Sequence, residues 1–143
     1  MVTISLCMIV KNEEAVLERC LESIKDMVDE IVIVDTGSTD KTKEIAARFT
    51  DKIYDFPWCD DFSAARNFAF SKGTGEYLLW MDADEVFPFV EKRKFFNLKE
   101  ELKKEPKDFV MMLYDAEMSS LMYGLILQAF CSPYWVMICP DDR

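Results

Sequence analysis

The sequence predicts an α/β domain built on a mostly parallel sheet, and three observations carry that prediction. Strand-like and helix-like segments alternate from residue 3 to residue 82. The strand-like segments are short and almost unbroken apolar runs, as expected for strands covered on both faces. The first, second and fourth of these runs stop abruptly at polar or acidic residues: Asn12-Glu13-Glu14, Asp35, and Asp82-Ala83-Asp84. In an open α/β sheet such strand ends form the rim where ligands bind.

Thr3–Val10 is the first apolar run and reads as a buried strand. Asn12 follows as a candidate helix cap, and Glu13 and Glu14 suit a first helical turn. Leu17, Leu21, Ile24 and Val28 then recur at helical spacing. Glu30–Val34 is a second strand ending at Asp35. Thr36–Asp40 reads as a turn, and Lys41–Phe49 as a helix with Ile45, Ala46 and Phe49 on one side. Asp51–Phe56 is a short third strand, and residues 57–61 a loop. Phe62–Lys72 is a helix stopped by Gly73. Tyr77–Met81 is the fourth strand. Glu91–Lys104 reads as a surface helix with a solvated basic face, and Phe109–Tyr114 as a fifth strand. Met118 to Pro140 carries no charged residue and is long enough to span a bilayer. Gln128 and Pro133 interrupt it and no Lys or Arg cluster flanks it, so a buried tail is expected over a membrane span.

The chain of 143 residues suits one core. A net charge of −10 argues against nucleic-acid binding through a basic surface, though one metal ion can reverse the local sign for a nucleotide. Five scattered cysteines without a C-x-x-C pair point to reduced thiols and a cytoplasmic setting. The absence of histidine removes the Ser-His and Cys-His arrangements and the usual zinc sites.

The central stretch is Tyr77–Phe87, where Asp82, Asp84 and Glu85 crowd the end of a strand. Carboxylates this close repel one another unless a cation sits among them, and a hard divalent ion is the simplest candidate. Asp35-Thr36-Gly37-Ser38 matches the aspartic protease signature, but a helix-like segment follows it where that fold continues as strand. Asp82–Val86 also fits the D-x-D-x-[TV] pattern of haloacid dehalogenase-like phosphatases. That family needs a lysine and a further acidic pair downstream, where much of this chain is the uncharged tail. No glycine-rich dinucleotide or P-loop motif occurs.

Four ordered segments resemble the family 2 glycosyltransferases of the GT-A fold: Ser5–Glu14, Ile31–Thr42, Asp61–Ala69 and Leu79–Glu85. The resemblance implies a Rossmann-like, mostly parallel sheet flanked by helices, with residues 1–117 as an incomplete nucleotide-sugar-binding domain and 118–143 as the apolar tail. It implies inverting transfer of a sugar from a nucleotide-diphosphate donor, expected to be UDP-linked, to an unspecified acceptor. Val10, Lys11 and Glu13 would line the nucleoside pocket, Asp35 would accept from the base, and Arg66 would lie near the diphosphate. Asp82 would face the ribose or a metal water, and Asp84 would ligate Mn²⁺ or Mg²⁺. Asp108, Asp115 and Glu117 are the candidates for the base, and none falls in a family motif. The family's acceptor half lies beyond residue 100, where this chain departs from the pattern. A non-catalytic nucleotide-sugar-binding remnant is therefore the alternative, and the uncharged tail is expected to favour self-association.

Overall fold

Strand β1 (Ile4–Val10) runs through the middle of the sheet, and its alternation divides the interior in two. Ile4, Leu6, Met8 and Val10 face one core, while Cys7 and Ile9 face the other. This is the two-residue period of a strand buried on both sides. The computed structural model describes residues 1–107, 110–113 and 135–140.

The larger core forms under helix α1 (Leu17–Ile24), whose Leu17, Cys20, Leu21 and Ile24 are buried, and includes Ile45 and Ala46 of the short helix α2 (Thr42–Ala46). The smaller core joins Cys7 to Val32 and Val34 of strand β2 (Glu30–Asp35), with Tyr54 of β3 (Ile53–Asp55) packed against it. Helix α3 (Phe62–Phe70) covers this face with Ala69, Phe68 and Phe70. Strand β4 (Tyr77–Trp80) is buried throughout. Helix α4 (Lys92–Lys104) returns to the larger core through Phe95 and Leu102.

With β5 (Val110–Leu113) and β6 (Trp135–Pro140), the strand order is β3-β2-β1-β4-β6-β5. The first four strands are parallel, and β6 lies antiparallel between β4 and β5. From β1 the chain builds outward through β2 and β3, then crosses to the other side of β1 for β4. The strand order therefore reverses between β1 and β4, which opens a crevice at their carboxyl ends.

Several expectations change on contact with the structure. Asn12 does not cap α1. It has a left-handed φ of 56°, and its side-chain oxygen accepts from the Thr39 N–H at 2.8 Å. A turn closed by the Glu13 carbonyl precedes the helix, which starts at Leu17. Helix α4 is not solvated along its whole basic face. Lys99 is buried, and its ammonium donates to Asp29 at 2.7 Å and to the Met27 carbonyl at 3.2 Å. The apolar run Trp135–Pro140, read as part of an uncharged tail, pairs with β4 as a sheet strand. Residues 118–134, Phe109 and Tyr114 lie outside the described residues.

The amino ends of the strands are held by Glu30. Its carboxylate accepts from Ser5 and Lys52, from the Thr74 amide at 2.6 Å and from the Thr74 hydroxyl at 3.0 Å. The following Gly75 donates to Ser5 Oγ at 2.7 Å. A Cβ there would sit 2.8 Å from the Ser5 backbone nitrogen, so this close approach requires glycine. Burial alone would raise the Glu30 pKa, but the donors from Lys52, Ser5 and Thr74 prevail and bring it from 4.5 to about 2. A depressed carboxylate pKa stabilises the fold above its unfolded value and loses that contribution as pH falls through the folded one.

Glu30→Gln is expected to cost up to about 3 kcal/mol at pH 7. The gap between variant and parent closes as pH falls from the ordinary glutamate value toward about 2. Urea unfolding across that range measures both.

Candidate functional site

A cleft of about 450 Å³ lies at the crevice between the carboxyl ends of β1 and β4. Ile9, Val10, Lys11 and Glu13 line it from the first strand and the loop that follows. Trp80, Asp82, Ala83 and Asp84 line it from the fourth. Arg66 and Phe62 reach it from α3, Trp58 from the preceding loop, and Thr36 from the end of β2.

The two loops that leave β1 and β2 are tied to each other beside the cleft. Asn12 N–H donates to Ser38 Oγ at 2.9 Å, Glu13 N–H to Thr42 Oγ1 at 2.8 Å, and Glu14 N–H to Asp40 Oδ2 at 3.1 Å. Lys41 N–H returns a bond to Glu14 Oε2 at 3.0 Å. Asn12, Glu13 and Glu14 thus give their backbone donors to the neighbouring loop, and the left-handed Asn12 keeps the chain there out of a helix. Thr36–Asp40 turns directly into α2, unlike the strand that continues a protease D-T-G-S.

Asp35 ends β2 and is 1 % exposed. One carboxylate oxygen accepts from Gly37 N–H at 2.9 Å and Ser38 N–H at 2.8 Å. The other is buried with no protein partner. Gly37 sits at φ 109°, which only glycine adopts without strain.

The acidic turn after β4 is held from two sides. Glu85 is buried and accepts from Asp82 N–H at 2.9 Å, while its own N–H donates to the Asp82 carbonyl at 3.1 Å. From α1, Cys20 Sγ lies 3.5 Å from the Asp82 carbonyl and Arg19 reaches the Asp84 carbonyl at 3.4 Å. Ser23 Oγ accepts from Phe87 N–H at 2.9 Å. Asp82 and Asp84 are left exposed, side by side in the cleft.

Charge in this region is poorly compensated. Desolvation raises the Asp82 pKa, and the neighbouring Asp84 raises it further, against the opposing pull of the Trp80 indole and Arg66. Glu13 is raised by desolvation, then by Asp84, Asp40 and Asp82. Glu85 is raised by desolvation and by Asp82 and Asp84, against the Asp82 N–H that it accepts. Burial and these carboxylates push the Cys20 thiol up to about 12, so it is an inert packing group.

Among the described residues, Arg66 makes no ion pair with the carboxylates, including Asp60 and Asp61. Asp60 instead accepts from the Trp58 indole at 2.8 Å, and Asp61 caps α3 through the Ala64 N–H at 3.0 Å. The Arg66 guanidinium lies 4.6 Å above the Trp80 ring.

Six of the seven residues singled out from sequence therefore meet in one cleft: Val10, Lys11, Glu13, Arg66, Asp82 and Asp84. Asp35 stands just outside its lining, one residue before Thr36. Sequence reading missed Trp58, Phe62 and Trp80. Trp80 was hidden inside the apolar strand, and Phe62 read only as the first residue of a helix. Asp108, Asp115 and Glu117 fall outside the described residues. A larger depression of about 640 Å³ lies at the opposite ends of the strands. Its charges are mostly paired, as in Arg48–Glu18 at 2.8 Å and Lys25–Glu22 at 2.8 Å, so size does not make it the better candidate.

Residues 5–121 match the description of the Glycosyl transferase family 2. The chain belongs to that family. The glycosyltransferase SunS of the Bacillus subtilis SPbeta prophage is 34 % identical over 124 residues, which is 85 % of this chain and 29 % of SunS. A TPR repeat-containing protein of Synechococcus elongatus is 52 % identical over 85 residues, 59 % of this chain and 21 % of that protein. This family member thus spans less than a third of the length of these relatives. The fold is also that of S. aureus TarS 1-349, with a TM-score of 0.64 over 75 % of this chain and 34 % of TarS at 22 % identity. Glucosyl-3-phosphoglycerate synthase of Mycobacterium tuberculosis, solved with UDP, gives 0.54 over 63 % of this chain and 36 % of that one at 26 % identity. The sheet is accordingly of the GT-A type. Among the described residues no helix is long and apolar enough to cross a membrane.

A carboxylate whose folded pKa is raised destabilises the fold once pH exceeds its unfolded value. Asp84→Asn removes a charge that raises both Asp82 and Glu13. The metal-free variant is therefore expected to melt about 1–3 °C above the parent at pH 7. The difference shrinks as pH falls and Asp82 and Glu13 take up protons. Calorimetric scans in chelator test both points.

Proposed function

We propose that this chain binds the donor of a glycosyl transfer, a nucleoside-diphosphate sugar that is UDP-linked, together with Mn²⁺ or Mg²⁺. The observation that carries the reading is the uncompensated charge of the cleft. Burial and the Asp84 carboxylate raise the pKa of both Asp82 and Glu13, Asp82 adds to the rise at Glu13, and Arg66 stands unpaired among them. A divalent cation carrying a diphosphate complements both signs at once.

The donor set suits such an ion. Among the described residues no group of three or more His, Cys, Asp or Glu is arranged to hold a metal by itself. Mg²⁺ and similar ions are commonly held by one or two carboxylates, with phosphate oxygens and water completing the shell. Asp84 would be the direct ligand and Asp82 would face a metal water or the ribose. When bound, such a cation supplies Lewis-acid stabilisation of the negative charge on a departing diphosphate. Two unit charges about 4 Å apart gain roughly 4 kcal/mol at an effective dielectric near 20.

The remaining roles belong to the chain. Val10, Lys11 and Glu13 line the nucleoside side of the cleft, and Arg66 meets phosphate oxygens. Asp35 accepts the ring N–H of uracil through the carboxylate oxygen that has no protein partner. Cytosine would place an acceptor against that oxygen, so the site discriminates by charge as well as shape. Transfer with inversion needs a base across the sugar, and Asp108, Asp115 and Glu117 are its candidates. The UDP complexes of TarS and of glucosyl-3-phosphoglycerate synthase, the latter also with Mn²⁺ or Mg²⁺, support the choice of donor and metal.

Calorimetry is expected to show UDP binding that strengthens on adding Mn²⁺, with most of that gain lost in Asp84→Asn. Equal affinity with and without metal would contradict the assignment. UDP is expected to bind more tightly than CDP. Asp35→Ala should remove about 1.5–3 kcal/mol of UDP binding and with it the preference.

A further inference from the structure

We infer that Trp80 is a positioning residue for the donor's diphosphate: its indole holds the Arg66 guanidinium over the cleft, away from the neighbouring carboxylates and open to a phosphate. The inference rests on the nucleotide-sugar reading above and assigns a role within that site to a residue that carries no charge.

An arginine in a cleft with three carboxylates would ordinarily pair with one of them, because its planar fork matches a carboxylate at two points. Arg66 makes no such pair among the described residues, and its Nε is buried without a hydrogen-bond partner. Instead the guanidinium lies over the Trp80 ring, 4.6 Å from its centroid. That ring is itself clamped. Trp80 is 6 % exposed and pairs with Cys7 in the sheet. Phe70, one helical turn beyond Arg66 on α3, meets it edge to face at 6.0 Å and 80°. Arg66 and Phe70 are four residues apart, the spacing that puts both on the same side of a helix.

The consequence follows from the charge of the guanidinium. A cation–π contact draws on that charge and needs none of the N–H donors. The indole therefore fixes the group without consuming a donor. A carboxylate partner would hold it equally well but would cancel its charge and occupy its fork. Trp80 thus keeps cation and anions separate, and the diphosphate-metal pair takes both.

The test uses the whole chain, UDP with Mn²⁺ as the probe, and four variants. Arg66→Gln is expected to weaken binding roughly tenfold to a hundredfold. Trp80→Leu is expected to lose a comparable factor, and the double variant Trp80→Leu/Arg66→Gln to bind within about twofold of Arg66→Gln alone. Trp80→Phe keeps a ring face, though it gives up the indole N–H that draws on Asp82, and is expected to stay within about fivefold of the parent. A second readout needs no ligand. The Arg66 Nε–H proton should be shifted upfield by the ring current in the parent and in Trp80→Phe, which covers the case of a Leu variant that fails to fold. Losses that multiply in the double variant would overturn the inference, as would a Phe variant as weak as the Leu variant or an unshifted Arg66 resonance. Intact metal-dependent UDP binding in Arg66→Gln would overturn it while leaving the donor reading standing. Failure of the parent to bind UDP at all would overturn both.

Discussion

The parallel pairing of β1 with β4 is the constraint on which the rest depends. It brings two strand ends that are about seventy residues apart in sequence to one rim, with Cys7 opposite Trp80 in the register. Past that pair, β1 runs on to Val10 and the loop carrying Glu13, while β4 gives way to the turn carrying Asp82 and Asp84. Neither loop makes a cleft alone. β2 adds Thr36 and Asp35 from the other side of β1, and α3 lays Arg66 across Trp80. Parallel strands need crossover connections, so every helix of this half is also a spacer that sets where a strand end arrives.

Two ends of the same sheet treat acidic residues in opposite ways. At the amino ends, Glu30 is surrounded by donors and its pKa is brought down to about 2. Asp29 is lowered as well, burial being outweighed by Lys99 and the Ile4 N–H. At the carboxyl ends, Asp82, Glu13 and Glu85 are raised by desolvation and by Asp84, with Asp82 adding to the rise at Glu13 and Glu85. The first arrangement stabilises the fold at neutral pH, and the second works against it. Strain of this kind, concentrated at one rim and offset elsewhere, is the usual mark of a binding site.

Much of this was legible in the sequence because β1, β2 and β4 are apolar runs with polar stops, a local pattern that needs no tertiary knowledge. The acidic pair at residues 82 and 84 was legible for the same reason. What escaped depended on contacts between distant segments. Asn12 looked like a cap because its neighbours suit a helix, yet its partner Thr39 lies on another loop. Lys99 looked solvated within a charged helix, yet Asp29 and the Met27 carbonyl give it buried partners. Trp80 looked like core, and it is core on one face, but its other face carries an arginine. The strand Trp135–Pro140 was masked by the length of the uncharged stretch around it, whose run exceeds a typical strand several-fold.

A crystal structure of the chain with UDP and Mn²⁺ tests the central claim most directly. The account predicts the ion on the Asp84 side of the cleft, the diphosphate between it and Arg66, and uracil within hydrogen-bond reach of the free Asp35 oxygen. UDP seated in the depression at the amino ends of the strands, or an ion that leaves Asp82 and Asp84 untouched, would contradict it.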